Sequence, residues 1–429
     1  MPPLPSHVDG LMEQATRLMQ GGHPRQAADV CRRVLESAPE HPLALAMLGG
    51  QALEAGQLDE AEQMLARAIR ANPGMVMAHA NLARVHGRRG DPLRALECIN
   101  EALRADPVAW GAHMEKARLL ESLGRQREAA TSWGNALSYM PEQAARAPQL
   151  QAMVQQARAS VAGNQAQLRA FLDAQLGDLL ADRHARELER IQHTLGILGG
   201  TRSFVAARPL MLPVPRLPAI PYFHREDYEW TADVEAKFPE IRAELDALLA
   251  SQARFEPYVQ TAAGEPQGQF AALDGKLEWG AFFIWRNGER VAANADRCPQ
   301  TEAALRCAPQ IHVRHRAPVA FFSALKPGVH IPPHNGATNA RLTVHLPLII
   351  PEDCGLRVGE ELHVWEPGKL VLFDDTIRHE AWNYSDRLRV VLIFDIWHPM
   401  LSPLERESIA RIIEGMMAFY GEGADLGEL

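Results

Sequence analysis

Apolar residues in the first third of the chain recur at helical spacing, and the pattern itself recurs every 34 positions. Pro39, Pro73, Pro107 and Pro141 keep that step, as do Ala27, Ala61, Ala95 and Ala129, and Gly22, Gly56, Gly90 and Gly124. Four residues in phase at three independent positions predict a repeated helix–turn–helix unit. Leu48, Gly49, Ala52 and Leu53 mark a first helix, and Leu65, Ala68 and Ile69 continue the buried stripe of a second. Gly56 ends the first helix, where a left-handed residue carries no Cβ penalty. Ala61 is small where the two helices cross, and Pro73 stops the second helix because it lacks an N–H.

Beyond Pro141 the sequence stays rich in helix formers to about Gly200 but loses the period. Gly199-Gly200 and then Pro209, Pro213, Pro215, Pro218 and Pro221 break the helices. Pro239 to Leu249 offers one more amphipathic helix with Pro at its start. After about residue 275 the period changes to two. Strands are expected at Trp279–Trp285, Val319–Leu325, Arg341–Ile349, Leu370–Phe373 and Leu388–Trp397. Glu366-Pro367-Gly368-Lys369 has the composition of a type II turn. Short strands without intervening helices point to an antiparallel sandwich or barrel. Ser402 to Glu405 then has capping-box spacing ahead of a stripe of Ile409, Ile412, Ile413, Met416 and Met417. The predicted divisions are 1–141, a helical array; 142–214, a helical and proline-rich bridge; and 215–429, a β-domain with a C-terminal helix.

Composition narrows this picture only at its edges. The 429 residues, 47% hydrophobic and 23% charged, are those of a folded multidomain chain. A net charge of −9 argues against a broad nucleic-acid-binding face. No apolar run reaches the roughly 18 residues of a membrane span. The start, Met1 to His7, lacks the features of a secretory signal. Five scattered cysteines without a C-x-x-C pair make a reducing cytoplasm the expected setting.

Strand alternation sorts the candidate chemistry. In Arg341–Ile349, Leu342, Val344, Leu346 and Leu348 share one face, and Arg341, Thr343 and His345 the other. In the last strand Arg389 and Asp395 oppose an apolar face of Leu388, Val390, Leu392 and Phe394. Two such strands predict a polar interior pocket. His334, in a proline-rich turn read as leading into a strand, and His379, at the start of another, are candidate ligands for a divalent metal. Arg389 lies ten residues beyond His379. Its planar fork suits a carboxylate.

The period-34 array resembles the tetratricopeptide repeat family over about residues 7 to 141, which implies a groove for a peptide or protein partner. His334-Asn-Gly-Ala-Thr-Asn-Ala-Arg341-Leu-Thr-Val-His345, Phe373-Asp-Asp-Thr-Ile-Arg-His379-Glu-Ala-Trp382 and Asp395-Ile-Trp-His-Pro399 closely resemble the aspartyl/asparaginyl β-hydroxylase family. Trp279–Trp285 and Phe322–Gly328 carry further family wording. The resemblance spans about residues 215 to 405 and implies a double-stranded β-helix with Fe(II), 2-oxoglutarate and O2 as reactants. It implies His334 and His379 as iron ligands, and Ser323 and Arg389 on the distal carboxylate of 2-oxoglutarate. His345 would lie near the metal-binding end, and Arg341 would face cofactor or substrate. Gly336 stands where most such oxygenases place an acid, and in this family water takes that role. Asp374 and Asp375 are then expected in supporting positions. The resemblance implies that the mammalian enzymes carry an arginine where Thr343 stands and a substrate-facing arginine in the stretch that Asp274 and Lys276 occupy here, so cofactor and substrate contacts differ. The implied function is hydroxylation of an Asp/Asn-type side chain presented by the repeats. The alternatives are the same chemistry on a lipid or small molecule, and a repeat-based adaptor whose oxygenase domain is vestigial.

Overall fold

A computed structural model describes residues 6–261, 264 and 267–420. The reading of Met1 to His7 and the last nine residues of the expected β-domain fall wholly or mainly outside this range. The chain forms two compact units, 1–202 and 203–429.

Eight helices open the first unit: α1 (Ser6–Gln20), α2 (Pro24–Ser37), α3 (Pro42–Glu54), α4 (Leu58–Ala71), α5 (Val76–Arg88), α6 (Pro92–Ala105), α7 (Trp110–Ser122) and α8 (Gln126–Tyr139). They pack as four consecutive antiparallel pairs. Gly22, Gly56, Gly90 and Gly124, one in each turn, have φ of 76°, 78°, 77° and 72°, which explains the glycine at that phase. Ala27, Ala61, Ala95 and Ala129 are buried. A Cβ at Gly49 would lie 2.8 Å from the Leu65 side chain, so α3 and α4 cross too closely for a larger residue. His79 and His113, again 34 apart, each bond through Nε2 to the carbonyl of a periodic proline, Pro73 or Pro107, at 2.9 Å. The 30-residue helix Gln151–Leu180 packs on α8 through Ala157, Met153 and Val161, so the array continues past its last periodic proline.

The segment 142–214 is thus divided between the units. Its helices, to Leu198, belong to the first. Its proline-rich end lies against the β-unit, where Leu210 N–H donates to the Gly336 carbonyl (3.0 Å) and Met211 N–H to Ala337 (2.9 Å).

Among the described residues of the second unit there are twelve strands: β1 (Tyr222–Phe223), β2 (Glu256–Pro257), β3 (Trp279–Arg286), β4 (Glu289–Arg290), β5 (Ala320–Leu325), β6 (Val329–His334), β7 (Arg341–Ile349), β8 (Cys354–Val358), β9 (Glu361–His363), β10 (Val371–Phe373), β11 (His379–Asn383) and β12 (Arg389–Trp397). They form two antiparallel sheets, one ordered β1-β10-β7-β12-β5-β3-β2 with β4 on β3, the other β6-β11-β8-β9. From β5 to β8 successive strands alternate between the sheets. Outside the larger sheet, Leu342, Val344, Leu346, Leu348, Val390, Leu392 and Phe394 pack with Ile241, Leu245 and Leu248 of the helix Phe238–Ala250. A second core, including Trp279, Leu325, Ile331, Leu356, Trp365 and Phe373, draws on strands of both sheets. Each inner strand is therefore buried on both faces, and the polar face of β7 is enclosed rather than wet.

Two sequence expectations change in detail. The proline-rich stretch before His334 is not a turn: β6 runs through Pro332 and Pro333 to His334. This is possible because β6 is an edge strand, so the absent N–H groups interrupt no second ladder. In the helix Pro403–Tyr420, Ile409, Ile413 and Met417 are buried but Ile412 is exposed. The capping box itself forms, with Ser402 N–H donating to Glu405 Oε2 at 2.8 Å.

Candidate functional site

His334 ends β6 and His379 opens β11, and the two are register partners across the antiparallel pair. Their ring centroids lie 3.9 Å apart. Each Nδ1 faces a backbone carbonyl two residues earlier: Pro332 at 2.8 Å for His334 and Ile377 at 3.0 Å for His379. That contact fixes the proton on Nδ1 and leaves both Nε2 lone pairs for a ligand, the second-sphere arrangement of a metal-binding histidine. Burial, and for His334 the neighbouring imidazole, lowers the pKa values to about 3 for His334 and about 4 for His379. Both rings are therefore neutral near pH 7, as ligation requires. No group of three or more His, Cys, Asp or Glu side chains is placed to hold a metal among the described residues.

Gly336 offers no donor, and the structure shows why. A Cβ there would fall inside the Asp375 carboxylate, which fills the space an acid at 336 would need. Asp375 Oδ1 is buried without a hydrogen-bond partner, while Oδ2 accepts from Arg341 Nη2 (2.9 Å) and Thr343 Oγ1 (3.2 Å). Asp374 instead accepts from the Thr376 N–H at 2.9 Å and holds the turn before His379; burial raises its pKa to about 6.

Arg341 is directed at its own chain. Its Nη1 donates to Asp395 at 2.7 Å and its Nη2 to Asp375, with only Nε left unpartnered. Burial disfavours its charge, but Asp395 and Asp375 together hold its pKa above the ordinary arginine value. Two of the three guanidinium nitrogens expected to face cofactor or substrate are thus already engaged. Thr343 bonds to the same two carboxylates.

At the other end of the interior, β12 contributes Arg389, 1% exposed. No carboxylate pairs with it among the described residues, and burial lowers its pKa to about 9. Nη1 contacts Ser323 Oγ at 3.4 Å, and Ser323 also accepts from Trp279 Nε1 at 3.0 Å. The guanidinium carbon lies 4.2 Å from the ring centroid of Trp365. His345, between this end and the histidine pair, touches Phe373 and lies 5.9 Å, ring to ring, from Trp365. Burial, then the Arg389 charge, depresses its pKa far below the usual imidazole range.

The site thus gathers His334, His379, His345, Arg341, Ser323 and Arg389. Asp274 and Lys276 remain in a surface loop, bonded to the Thr261 N–H (2.9 Å) and the Ala272 carbonyl (2.8 Å). Sequence reasoning missed Trp365. Its only local signal is an aromatic residue directly before the Glu366-Pro367-Gly368 turn.

The second unit thus holds a neutral histidine pair and, among the described residues, an arginine without a carboxylate partner. Comparisons with known proteins identify both units. The aspartyl/asparaginyl beta-hydroxylase family matches residues 235–399, and tetratricopeptide repeats match 12–76 and 80–148. An ornithine lipid ester-linked acyl 2-hydroxylase from Rhizobium tropici is 33% identical over 210 residues, 47% of this chain and 71% of that protein. The human aspartyl/asparaginyl beta-hydroxylase is 38% identical over 138 residues, but these are 32% of this chain and only 18% of that protein. A thermophilic TPR protein from Thermus thermophilus aligns with 44% of this chain and 98% of its own at 18% identity, with a TM-score of 0.31. The chain belongs to the aspartyl/asparaginyl β-hydroxylase family and carries N-terminal tetratricopeptide repeats.

Proposed function

We propose that the protein is an Fe(II)- and 2-oxoglutarate-dependent hydroxylase. The observation that carries this reading is the pairing of two Nδ1-anchored imidazoles, His379 buried and His334 half-buried, with a buried guanidinium that has no carboxylate partner among the described residues. The fit to the cofactors is chemical. His345 Nδ1 and Arg389 Nε are buried and unpartnered, which suits a dianion entering from outside. His334 and His379 would hold the metal, with Asp375 Oδ1 accepting from the water that replaces a third protein ligand. Ser323 and Arg389 would take the distal carboxylate and His345 the 2-oxo acid end. When bound, the metal and 2-oxoglutarate would supply, with O2 as oxidant, oxidative decarboxylation that places one oxygen atom in succinate with release of CO2 and the other on substrate carbon. The chain positions the reactants, supplies Arg389 as a cation matched to the dianion, and excludes water.

The primary substrate reading is an Asp/Asn-type side chain on a protein or peptide, brought to the domain by the repeats. A groove between α5 and α7, with a cavity of about 290 Å³ lined by Arg84, Arg88, Glu115 and Arg118, supports a polar peptide there. A second reading, a lipid acyl chain, is favoured by the lipid hydroxylase from Rhizobium tropici, most of whose length this chain matches. The test is succinate release with Fe(II), ascorbate and 2-oxoglutarate, offered candidate peptides and lipids separately. His334→Ala and His379→Ala should abolish it; full activity in either overturns the ligand assignment.

A further inference from the structure

Trp365 stands 3% exposed on the loop between β9 and β10, and its indole Nε1–H is buried with no acceptor. A buried indole normally finds a partner. Its ring lies beneath the Arg389 guanidinium at 4.2 Å, a contact that favours the cation without neutralising it. The second unpartnered donor here is Arg389 Nε, so two side chains in contact each carry an unmet N–H, and one carries a charge with no acid beside it among the described residues. Ser323 has its hydroxyl engaged with Trp279 and Arg389 and satisfies neither donor.

We propose that Trp365 is a positioning residue for 2-oxoglutarate: its ring face orients Arg389, and its Nε1–H donates to the distal carboxylate that Arg389 binds. The inference rests on the 2-oxoglutarate reading of the site and adds a donor to the groups assigned there. It also explains why a tryptophan, rather than an acid, flanks the arginine. A carboxylate would hold the guanidinium equally well but would compete with the incoming dianion, as Asp375 and Asp395 do at Arg341.

The test compares the full-length, Zn(II)-loaded protein with Trp365→Phe and Trp365→Leu by calorimetry, using 2-oxoglutarate and 2-oxobutyrate, which lacks the distal carboxylate. Loss of a hydrogen bond to a charged acceptor predicts about 10-fold weaker 2-oxoglutarate binding in Trp365→Phe. Trp365→Leu should lose more, and 2-oxobutyrate affinity should change less than about two-fold in both. Equal losses for both ligands, or none, overturn the proposal. In the unsubstituted protein labelled with 15N-tryptophan, one indole N–H resonance should move downfield with 2-oxoglutarate and not with 2-oxobutyrate. If none moves although 2-oxoglutarate binds, the proposal fails alone. If the unsubstituted protein binds no 2-oxoglutarate, the functional reading fails and this inference falls with it.

Discussion

Arg341 and Arg389 lie on the adjacent strands β7 and β12, are both buried, and sit at opposite ends of one interior. Around Arg341 the chain provides two carboxylates and a threonine, and the guanidinium is held charged by its own protein. Around Arg389 the described residues provide a serine and a tryptophan ring but no acid, and burial, offset only in part by Cys354, lowers its pKa while leaving it charged near pH 7. The difference separates structure from function. A buried charge whose counterions come from the same chain braces the fold, while one left without them is, in the proposed function, the site that receives the 2-oxoglutarate carboxylate. The ion pairs at Arg341 also hold Asp375 in the space beside Gly336. The self-neutralised end therefore shapes the histidine end of the site.

The contrast is sharpest in stability. Arg341→Met should leave Asp375 and Asp395 buried without a cation and destabilise the protein by about 3–5 kcal/mol in urea unfolding. Arg389→Met should leave stability unchanged or raise it, since it removes a desolvated charge with no partner. Similar losses in both variants would erase the distinction. In 2-oxoglutarate binding by calorimetry, Arg389→Met should weaken affinity by about 100-fold, the scale of a bidentate charged contact. Gly336→Ala tests the link between the two ends. Its methyl would push Asp375 away from Arg341, at about 1–3 kcal/mol in unfolding free energy. The smallest effect is expected for Ser323→Ala, about 10-fold in 2-oxoglutarate affinity with little change in stability.

Much of the site was readable along the chain, because its residues sit on strands whose alternation sorts inside from outside. His345, Arg341 and Arg389 were placed on interior faces by period two alone, and the structure encloses all three. Alternation could not say what stands across the interior. That Arg341 meets acids 34 and 54 residues away, rather than a ligand, depends on which strands become neighbours. Trp365 was invisible for a similar reason: one aromatic residue ahead of a turn has no periodicity, and its partner Arg389 lies on a distant strand. The strand through Pro332 and Pro333 was misread as a turn because proline is a local breaker, and only the edge position in the sheet removes the penalty.

The helical array, by contrast, was determined almost wholly by sequence. Each repeat unit buries its surface mainly against neighbours in the chain, so a glycine, an alanine and a proline at fixed phase are enough to specify it. The β-unit is built from contacts between distant segments, and there the sequence settled β3, β5, β7, β10 and β12 and offered candidate ligands. Tertiary structure alone decided that two histidines 45 residues apart become register partners. It also decided that one buried arginine is neutralised while the other is left open, because counterions are assigned by proximity in space and not along the chain.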